Sequence, residues 1–178
     1  MKKSVIVIAI LALAIFSMTA AGANFKYVGS DKCKMCHKTE KQGNQFGIWE
    51  ASAHAKAYAT LAGEEAKKVA AKMEIADPQK SEKCLVCHVT AFGAADSSKD
   101  TTFSMTEGIG CEACHGPGSD YKKMSIMKDR AKAIEAGLLI PDEKTCLKCH
   151  NETSPTYKPF KYEERQAQIA HPTPKATK

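Results

Sequence analysis

The sequence has few large apolar side chains for its length. Its 178 residues include one Trp, five Tyr and six Phe, and Leu and Ile are thinly scattered after the N-terminal stretch. A chain of this size normally buries about two-thirds of the surface that its unfolded form exposes. Because these side chains offer little apolar surface for such a core, we predict that another apolar group fills the interior.

Long apolar runs are also absent, except for one at the N-terminus. Two lysines precede the run Val5–Phe16, and Ala21–Ala23 supplies the small residues of a cleavage site. This order is typical of a secretory signal peptide, so we predict a signal at 1–23 and a mature chain at 24–178. A membrane anchor is the alternative, but the run is shorter than the roughly 20 residues of a spanning helix. No cysteine follows the cleavage site directly, which argues against a lipid anchor there.

Basic side chains are in slight excess but form no block. The chain has 26 Lys and Arg against 20 Asp and Glu, and two of the lysines precede the apolar run. Nucleic-acid binding normally shows as a basic patch or stripe. The scattered distribution seen here excludes that class of function, and no apolar segment after the signal is long enough to span a membrane.

All eight cysteines belong to one repeated motif, C-x-x-C-H, with none left over. Positions i, i+3 and i+4 of a helical turn share a face. Two sulfurs can therefore bond to the two vinyl groups of one haem while the histidine binds its iron. We predict four haems c, with thioether bonds from Cys33 and Cys36, Cys84 and Cys87, Cys111 and Cys114, and Cys146 and Cys149, and with proximal ligands His37, His88, His115 and His150.

Zinc sites and disulfides are the competing interpretations of paired cysteines. Neither needs a histidine directly after every pair. Haem attachment of this type takes place outside the cytoplasm, which agrees with the predicted export. Four flat apolar macrocycles also account for the missing core. We therefore predict a mainly α protein, with helices and long loops wrapped around four stacked haems.

Histidine is scarce, and its count limits the axial ligands. Four irons have eight axial positions, but the chain has six histidines, of which four are proximal. Only His54 and His171 remain, so at most two haems can have two histidine ligands within one chain. We predict His54 on a helix at 46–58 and His171 at the end of a helix from Tyr162 that Pro172 stops. A lone histidine is usually an ordinary polar residue, yet the shortage favours ligation by both.

The remaining two irons take methionine, another weak ligand, a residue of a neighbouring chain, or nothing. Methionines after residue 23 are Met35, Met73, Met105, Met124 and Met127. Met35 lies inside a motif and is badly placed. Most methionines fill gaps in the interior, but Met124 and Met127 follow the third motif on a helix predicted from about Ser119. They are our candidates.

Other helices are predicted from local signals. Residues 64–74 and 129–136 have helical patterns, with Gly137 as the stop of the second. Pro141 opens the helix of the fourth motif. Residues 89–110 are polar and rich in Gly, Ser and Thr, which predicts a long loop or short hairpin over the second haem.

Three segments resemble a known family. Tyr27–Cys33, Trp49–Tyr58 and Gly108–Ser119, in this order, are similar to the tetrahaem cytochrome c-554 family. The resemblance implies a mostly helical fold with closely stacked haem pairs and a role in periplasmic electron transfer. The family's namesake accepts electrons from hydroxylamine oxidoreductase and has one five-coordinate haem. The implied partners are redox proteins, either hydroxylamine-oxidoreductase-like or quinol-oxidising multihaem proteins.

The resemblance also implies an assignment of ligands. His54 would bind the third haem iron and His171 the fourth, and the second haem, on His88, would be open. Relatives often have a histidine shortly after the loop Gly116–Ser119, where this chain has Asp120–Met124. The ligand of the first haem is therefore expected to be Met124 or Met127.

Three functions follow from these features. An exported electron carrier, periplasmic or extracellular, is our main prediction. An enzyme that reduces a small nitrogen oxide, such as nitric oxide, at an open haem is the second. A subunit of a polymeric haem wire is the third, since ligation between subunits can supply a missing ligand.

Overall fold

The computed structural model describes residues 24–171, and this part of the chain is mainly helical, as predicted. The predicted signal peptide at 1–23 and the predicted helix stop at Pro172 lie outside the described residues. The α-helices are α1 Asp31–His37, α2 Gln45–Ala51, α3 Ala57–Thr60, α4 Glu64–Lys72, α5 Glu82–His88, α6 Cys111–His115, α7 Met124–Met127, α8 Arg130–Glu135, α9 Glu143–Leu147 and α10 Tyr162–Ile169. Two short 3-10 helices, Glu40–Gln42 and Asp96–Ser98, complete them.

Helix ends follow local chemistry where the caps are strong. The Asp129 carboxylate accepts hydrogen bonds from the backbone N–H groups of Ala131 and Lys132 at 3.1 and 3.2 Å and starts α8. Gly137, with φ of 100°, follows the end of this helix. Asp142 and Thr145 form a reciprocal capping box at the start of α9. These features confirm the helices predicted at 129–136 and after Pro141.

The helix predicted at 46–58 is wrong as a single element, because it breaks at Ser52. Ser52 has an extended backbone, and its hydroxyl accepts a hydrogen bond from the N–H of Ala55 at 3.4 Å. This local bond competes with the helical ladder. The His54 carbonyl accepts from the N–H of Ile109 at 2.9 Å. His54 therefore lies in a turn between α2 and α3.

The helix predicted from about Ser119 begins later, at Met124. The Tyr121 hydroxyl donates to the carbonyl of Gly116 at 2.7 Å, which fixes the intervening chain as a turn. Lys123, with ψ of 128°, is extended and directly precedes α7. The predicted helices at 64–74 and from Tyr162 are confirmed as α4 and α10.

Residues 89–110 form a loop rather than a hairpin. Its central part pairs with the N-terminal segment: the Tyr27 N–H donates to the carbonyl of Ser98 at 2.9 Å, and the Asp100 N–H donates to that of Tyr27 at 2.8 Å. Its two ends are joined where the Thr90 N–H donates to the carbonyl of Gly108 at 3.0 Å. Tyr27 and Lys99 form an isolated parallel bridge. The loop thus holds the chain just before α1.

The protein core made by side chains is small. Within residues 24–171 the buried apolar side chains are Val28, Phe46, Leu61, Ala70, Val89, Tyr121 and Ala133. Several large apolar side chains are exposed instead, among them Met35 at 86% and Val86 at 57%, both inside cysteine motifs. This distribution agrees with an interior that is completed by another apolar group. Between residues 24 and 171, no helix has the length and apolar character needed to cross a membrane.

Candidate haem-binding site

The cysteine motifs lie on four short helices, as their spacing predicts. Helices α1, α5 and α6 each contain a complete motif, so both sulfurs and the histidine share one face. Helix α9 ends at Leu147, and the fourth motif continues in the next turn, where the His150 N–H donates to the carbonyl of Cys146 at 3.0 Å. All eight cysteines are unpaired. Among residues 24–171 there is no group of three or more His, Cys, Asp or Glu arranged to hold a metal ion.

The motifs meet in pairs through their cysteines. The neighbouring Cys111 and burial raise the pKa of Cys33. Burial and the neighbouring Cys87 raise the pKa of Cys149 to about 12. The first motif therefore contacts the third, and the second contacts the fourth.

The third motif also lies beside the fourth. Burial raises the pKa of Cys114, and the nearby Cys146 raises it further. The three proximities together give the motifs the spatial order first, third, fourth, second. This order differs from the order along the chain.

Two histidine pairs lie between segments that are distant in sequence. The rings of His54 and His150 have centroids 6.0 Å apart, and those of His115 and His171 are 5.9 Å apart. An imidazole nitrogen binds a metal ion at about 2.0–2.1 Å and its ring centroid lies about 1.1 Å behind it, so two histidines on opposite sides of one ion have centroids about 6.2–6.4 Å apart. Both pairs are within a few tenths of an ångström of the spacing that a haem iron with two histidine ligands needs.

The pairing is the reverse of the one that the resemblance implied. His54, expected at the third haem, faces His150 of the fourth motif, and His171, expected at the fourth, faces His115 of the third. The backbone around His54 accounts for the first of these two differences. The His54 carbonyl is bonded to Ile109 beside the third motif, while its ring is directed to the fourth.

Hydrogen bonds orient two of the proximal histidines. Nδ1–H of His88 donates to the carbonyl of Ala57 at 2.7 Å, and that of His115 donates to the carbonyl of Leu139 at 3.3 Å. These bonds keep the proton on Nδ1 and leave Nε2 free to bind a metal. A backbone carbonyl is a usual partner for the second ring nitrogen of a histidine that binds a metal.

The environment also favours neutral imidazoles, the form that binds iron. Burial lowers the pKa of His54, His115, His150 and His171. A charge on His150 lowers the pKa of His54 further, because the two rings face each other. Phe160 stacks on the His150 ring with centroids 4.8 Å apart and limits its movement.

A cavity of about 270 Å³ lies beside the second motif. Cys84, Cys87 and His88 line it together with α4 and residues 153–156, so it marks the space for the second haem. The loop 89–110, expected to cover this haem, contributes nothing to the lining. Met73 does line the cavity, and its separation of four residues from Val69 places both on one face of the segment. Sequence reasoning included Met73 among the methionines but did not select it.

Met124 and Met127 lie on α7. Met124 is 62% exposed, and Met127 is half-buried. A role for either as a ligand of the first haem stays a prediction.

Two carboxylates, one on the buried Glu112 and one on the half-buried Glu107, hold the first and third motifs together. Glu112, inside the third motif and 1% exposed, accepts hydrogen bonds from the N–H groups of Val28, Gly29 and Gly118 at 2.6–2.9 Å. Burial raises its pKa, although these bonds act in the opposite direction. Sequence reasoning missed Glu112, because the two middle positions of the motif carry no spacing signal.

Glu107 is the second carboxylate. It accepts a hydrogen bond from the N–H of Ser30 at 2.8 Å through Oε2, while its Oε1 is buried without a partner among the described residues. Burial raises the pKa of Glu107. The Ser30 hydroxyl in turn accepts from the N–H of Cys111 at 3.0 Å. This network joins the start of α1 to the start of α6.

The chain is similar to known cytochromes in both sequence and fold. The family described as cytochrome c554 and c-prime matches residues 32–116. Cytochrome c-554 of Nitrosomonas europaea is 31% identical over 170 residues, which cover 83% of this chain and 68% of the relative. The solved structure of reduced cytochrome c554 from the same organism has a TM-score of 0.53 and 28% identity, and it covers 81% of this chain and 78% of that chain. With this likeness, four haem-attachment motifs and two histidine pairs at the spacing of a shared iron, the chain belongs to the cytochrome c-554 family and is a multihaem c-type cytochrome that carries electrons on haem c iron.

Proposed function

We propose that the chain binds four haems c through all eight cysteines and works as an exported electron carrier in the periplasm or outside the cell. The observation that carries the proposal is the geometry of the four motifs, with His54 and His171 at the spacing of a shared iron from His150 and His115. The proximity order of the motifs, first, third, fourth, second, agrees with it. Haems attached at neighbouring cysteines are close enough for electrons to pass from one to the next inside the protein. An unbroken series of such contacts is what a carrier needs.

The ligands follow from the two histidine pairs. His150 and His54 would hold the fourth haem iron, and His115 and His171 the third. His88 would hold the second iron with a weak or absent sixth ligand, and His37 the first with Met124 or Met127. When bound, each haem supplies an iron that accepts and releases one electron.

The ligand types set the direction of electron flow. Methionine opposite histidine raises the potential of a haem iron, whereas a second histidine leaves it lower. With a methionine as its second ligand beside His37, the first haem is therefore a better electron acceptor than the neighbouring third haem, which has two histidine ligands. Electrons that enter at low potential would run toward α1.

Export rests on the predicted signal at 1–23, with a single tetrahaem domain at 24–178. Hydroxylamine-oxidoreductase-like and quinol-oxidising multihaem proteins are the proposed partners. Each haem brings two propionates, so the bound groups offset the excess of basic side chains in the polypeptide.

Intact mass and electron paramagnetic resonance test the cofactor assignment. The exported protein should exceed its polypeptide mass by four haems, and the oxidised protein should show two low-spin irons with two histidine ligands. Free thiols in the purified protein, or fewer than four haems, would disprove the assignment.

Turnover distinguishes the carrier from an enzyme that reduces nitric oxide at an open haem. Pre-reduced protein mixed with excess nitric oxide should reoxidise slowly, because a carrier needs no site that activates its ligand. Rapid reoxidation of the reduced haems by nitric oxide, lost when His88 is replaced, would make the protein an enzyme instead.

A further inference from the structure

The proximal histidine of the first motif has a different kind of hydrogen-bond partner from two of the others. Nδ1 of His37 lies 3.2 Å from the side-chain oxygen Oε1 of Gln45. His88 and His115 use backbone carbonyls in the same position. A side-chain partner can differ in charge and length, whereas a backbone carbonyl cannot.

Gln45 is held in one orientation by its surroundings. The side chain is 8% exposed, and its Nε2 donates to the carbonyl of Gln42. This bond identifies the nitrogen of the amide, so Oε1 is the atom that faces His37. The imidazole must then donate from Nδ1, which leaves Nε2 for iron.

The backbone around Gln45 is equally fixed. Gly43 and Asn44, with φ of 94° and 47°, turn the chain so that α2 starts at Gln45. The next side chain, Phe46, is 3% exposed, and the ammonium groups of Lys34 and Lys38 lie 5.2 and 5.6 Å from its ring centroid. Cation–π contacts of this length attach the start of α2 to α1.

We propose that Gln45 is a positioning residue that sets the reduction potential of the first haem through His37. A hydrogen bond accepted from Nδ1–H makes the imidazole a stronger electron donor. A stronger donor favours ferric over ferrous iron and lowers the potential. The inference rests on the proposed attachment of a haem at Cys33 and Cys36, and it adds a determinant that the ligand set alone does not contain.

Two variants and one matched control test the inference in the haem-bound protein. Gln45→Leu keeps the volume but removes the acceptor, and Gln45→Glu keeps the shape but makes the acceptor stronger. Gln42→Leu is the control, because Gln42 is exposed and bonds to Gln45 through its backbone carbonyl, which the substitution keeps. Potentials of the four haems are measured by redox titration with optical and paramagnetic resonance detection, and NMR contacts to Cys33 and Cys36 identify the first haem.

Loss of a partner that orients a metal ligand typically costs about 10–100-fold in metal affinity or activity, and we take the lower end as the scale for the redox equilibrium. We expect Gln45→Leu to shift the ferrous-to-ferric ratio of the first haem about tenfold toward ferrous at a fixed solution potential, which is 59 mV for one electron. Gln45→Glu should shift the same haem toward ferric. The other three potentials and those of Gln42→Leu should not change.

Three results would overturn the inference: unchanged potentials in both variants, shifts of the same sign in both, or an equal shift in Gln42→Leu. Mass spectrometry separates this failure from failure of the proposed function. A protein that carries four haems but ignores Gln45 disproves only the role of Gln45. Absence of a haem on Cys33 and Cys36 disproves the proposed function itself.

Discussion

Replacement of Glu112 by glutamine tests how the third motif holds the chain before the first. In the folded protein Oε1 accepts from Gly118 and Val28, and Oε2 accepts from Gly29 and Val28. Glu112→Gln keeps the volume but turns one oxygen into an amide nitrogen that cannot accept. Val28 keeps a partner either way, but the N–H of Gly29 or of Gly118 loses its only acceptor among these bonds.

The magnitude follows from these contacts. A buried donor left without a partner costs about 1–3 kcal/mol, and each remaining bond loses about 1 kcal/mol when its acceptor is no longer charged. Relief from burying a carboxylate offsets part of this loss. We expect a net loss of about 2–4 kcal/mol in the free energy of unfolding, a large part of the 5–15 kcal/mol of a typical domain.

Guanidinium unfolding of the oxidised haem-bound protein near neutral pH, followed by far-ultraviolet circular dichroism, measures the change. Glu164→Gln is the matched control, because Glu164 is exposed and pairs only with the exposed Lys161 at 3.1 Å. Its unfolding midpoint should not move. A loss below about 0.5 kcal/mol for Glu112→Gln would refute the reasoning, because effects of that size are ordinary for surface changes.

Three further predictions concern the ligands, a buried acid and the cavity. His54→Ala and His171→Ala should each convert one haem from low to high spin. NMR changes are expected at Phe160 in the first variant and at Leu139 in the second. If these changes are exchanged between the two variants, the pairing that the resemblance implied is the right one. Burial raises the pKa of Glu107 above its unfolded value near 4.3, so its ionisation costs stability as pH rises through the folded pKa. The free energy of unfolding of Glu107→Gln, measured with urea, should therefore rise relative to that of the parent between pH 4 and pH 7. A difference between the two proteins that does not change with pH would contradict this. Carbon monoxide should bind the reduced protein at one or two haems. Met73→Trp enlarges a side chain that lines the haem space beside His88, so it should slow that binding in protein that still carries four haems; an unchanged rate would place the open site elsewhere.

Local signals predicted the elements whose causes are local. The spacing of the motifs predicted helical turns, and α1, α5 and α6 carry them. Gly137 predicted the end of α8, because a glycine at positive φ acts within a few residues, and the Asp129 cap that starts this helix is equally local. The shortage of large apolar side chains also predicted the small core correctly.

The errors arose where distant residues decide. The turn after the Ser52 break is joined to a distant segment, because the N–H of Ile109 shares the His54 carbonyl with the N–H of Ala57. The partner of His54 depends on where α9 lies, and no local pattern in the sequence contains that distance. Glu112 went unnoticed for the same reason, since its three donors lie in two segments, one of them 84 residues earlier in the chain.

These distant contacts also explain why the spatial order of the motifs differs from their order in the chain. Glu112 binds the segment just before α1, and the Ser30 hydroxyl binds the backbone at Cys111, so the first motif is held against the third across about eighty intervening residues. His88 is oriented by the carbonyl of Ala57, and His54, three residues before Ala57, faces the fourth motif. Each neighbouring pair of motifs is thus set by contacts with rigid backbone as well as by the cysteines. A change at Glu112 should therefore affect electron exchange between the first and third haems before it affects the second and fourth, because the contacts of the latter pair involve neither carboxylate.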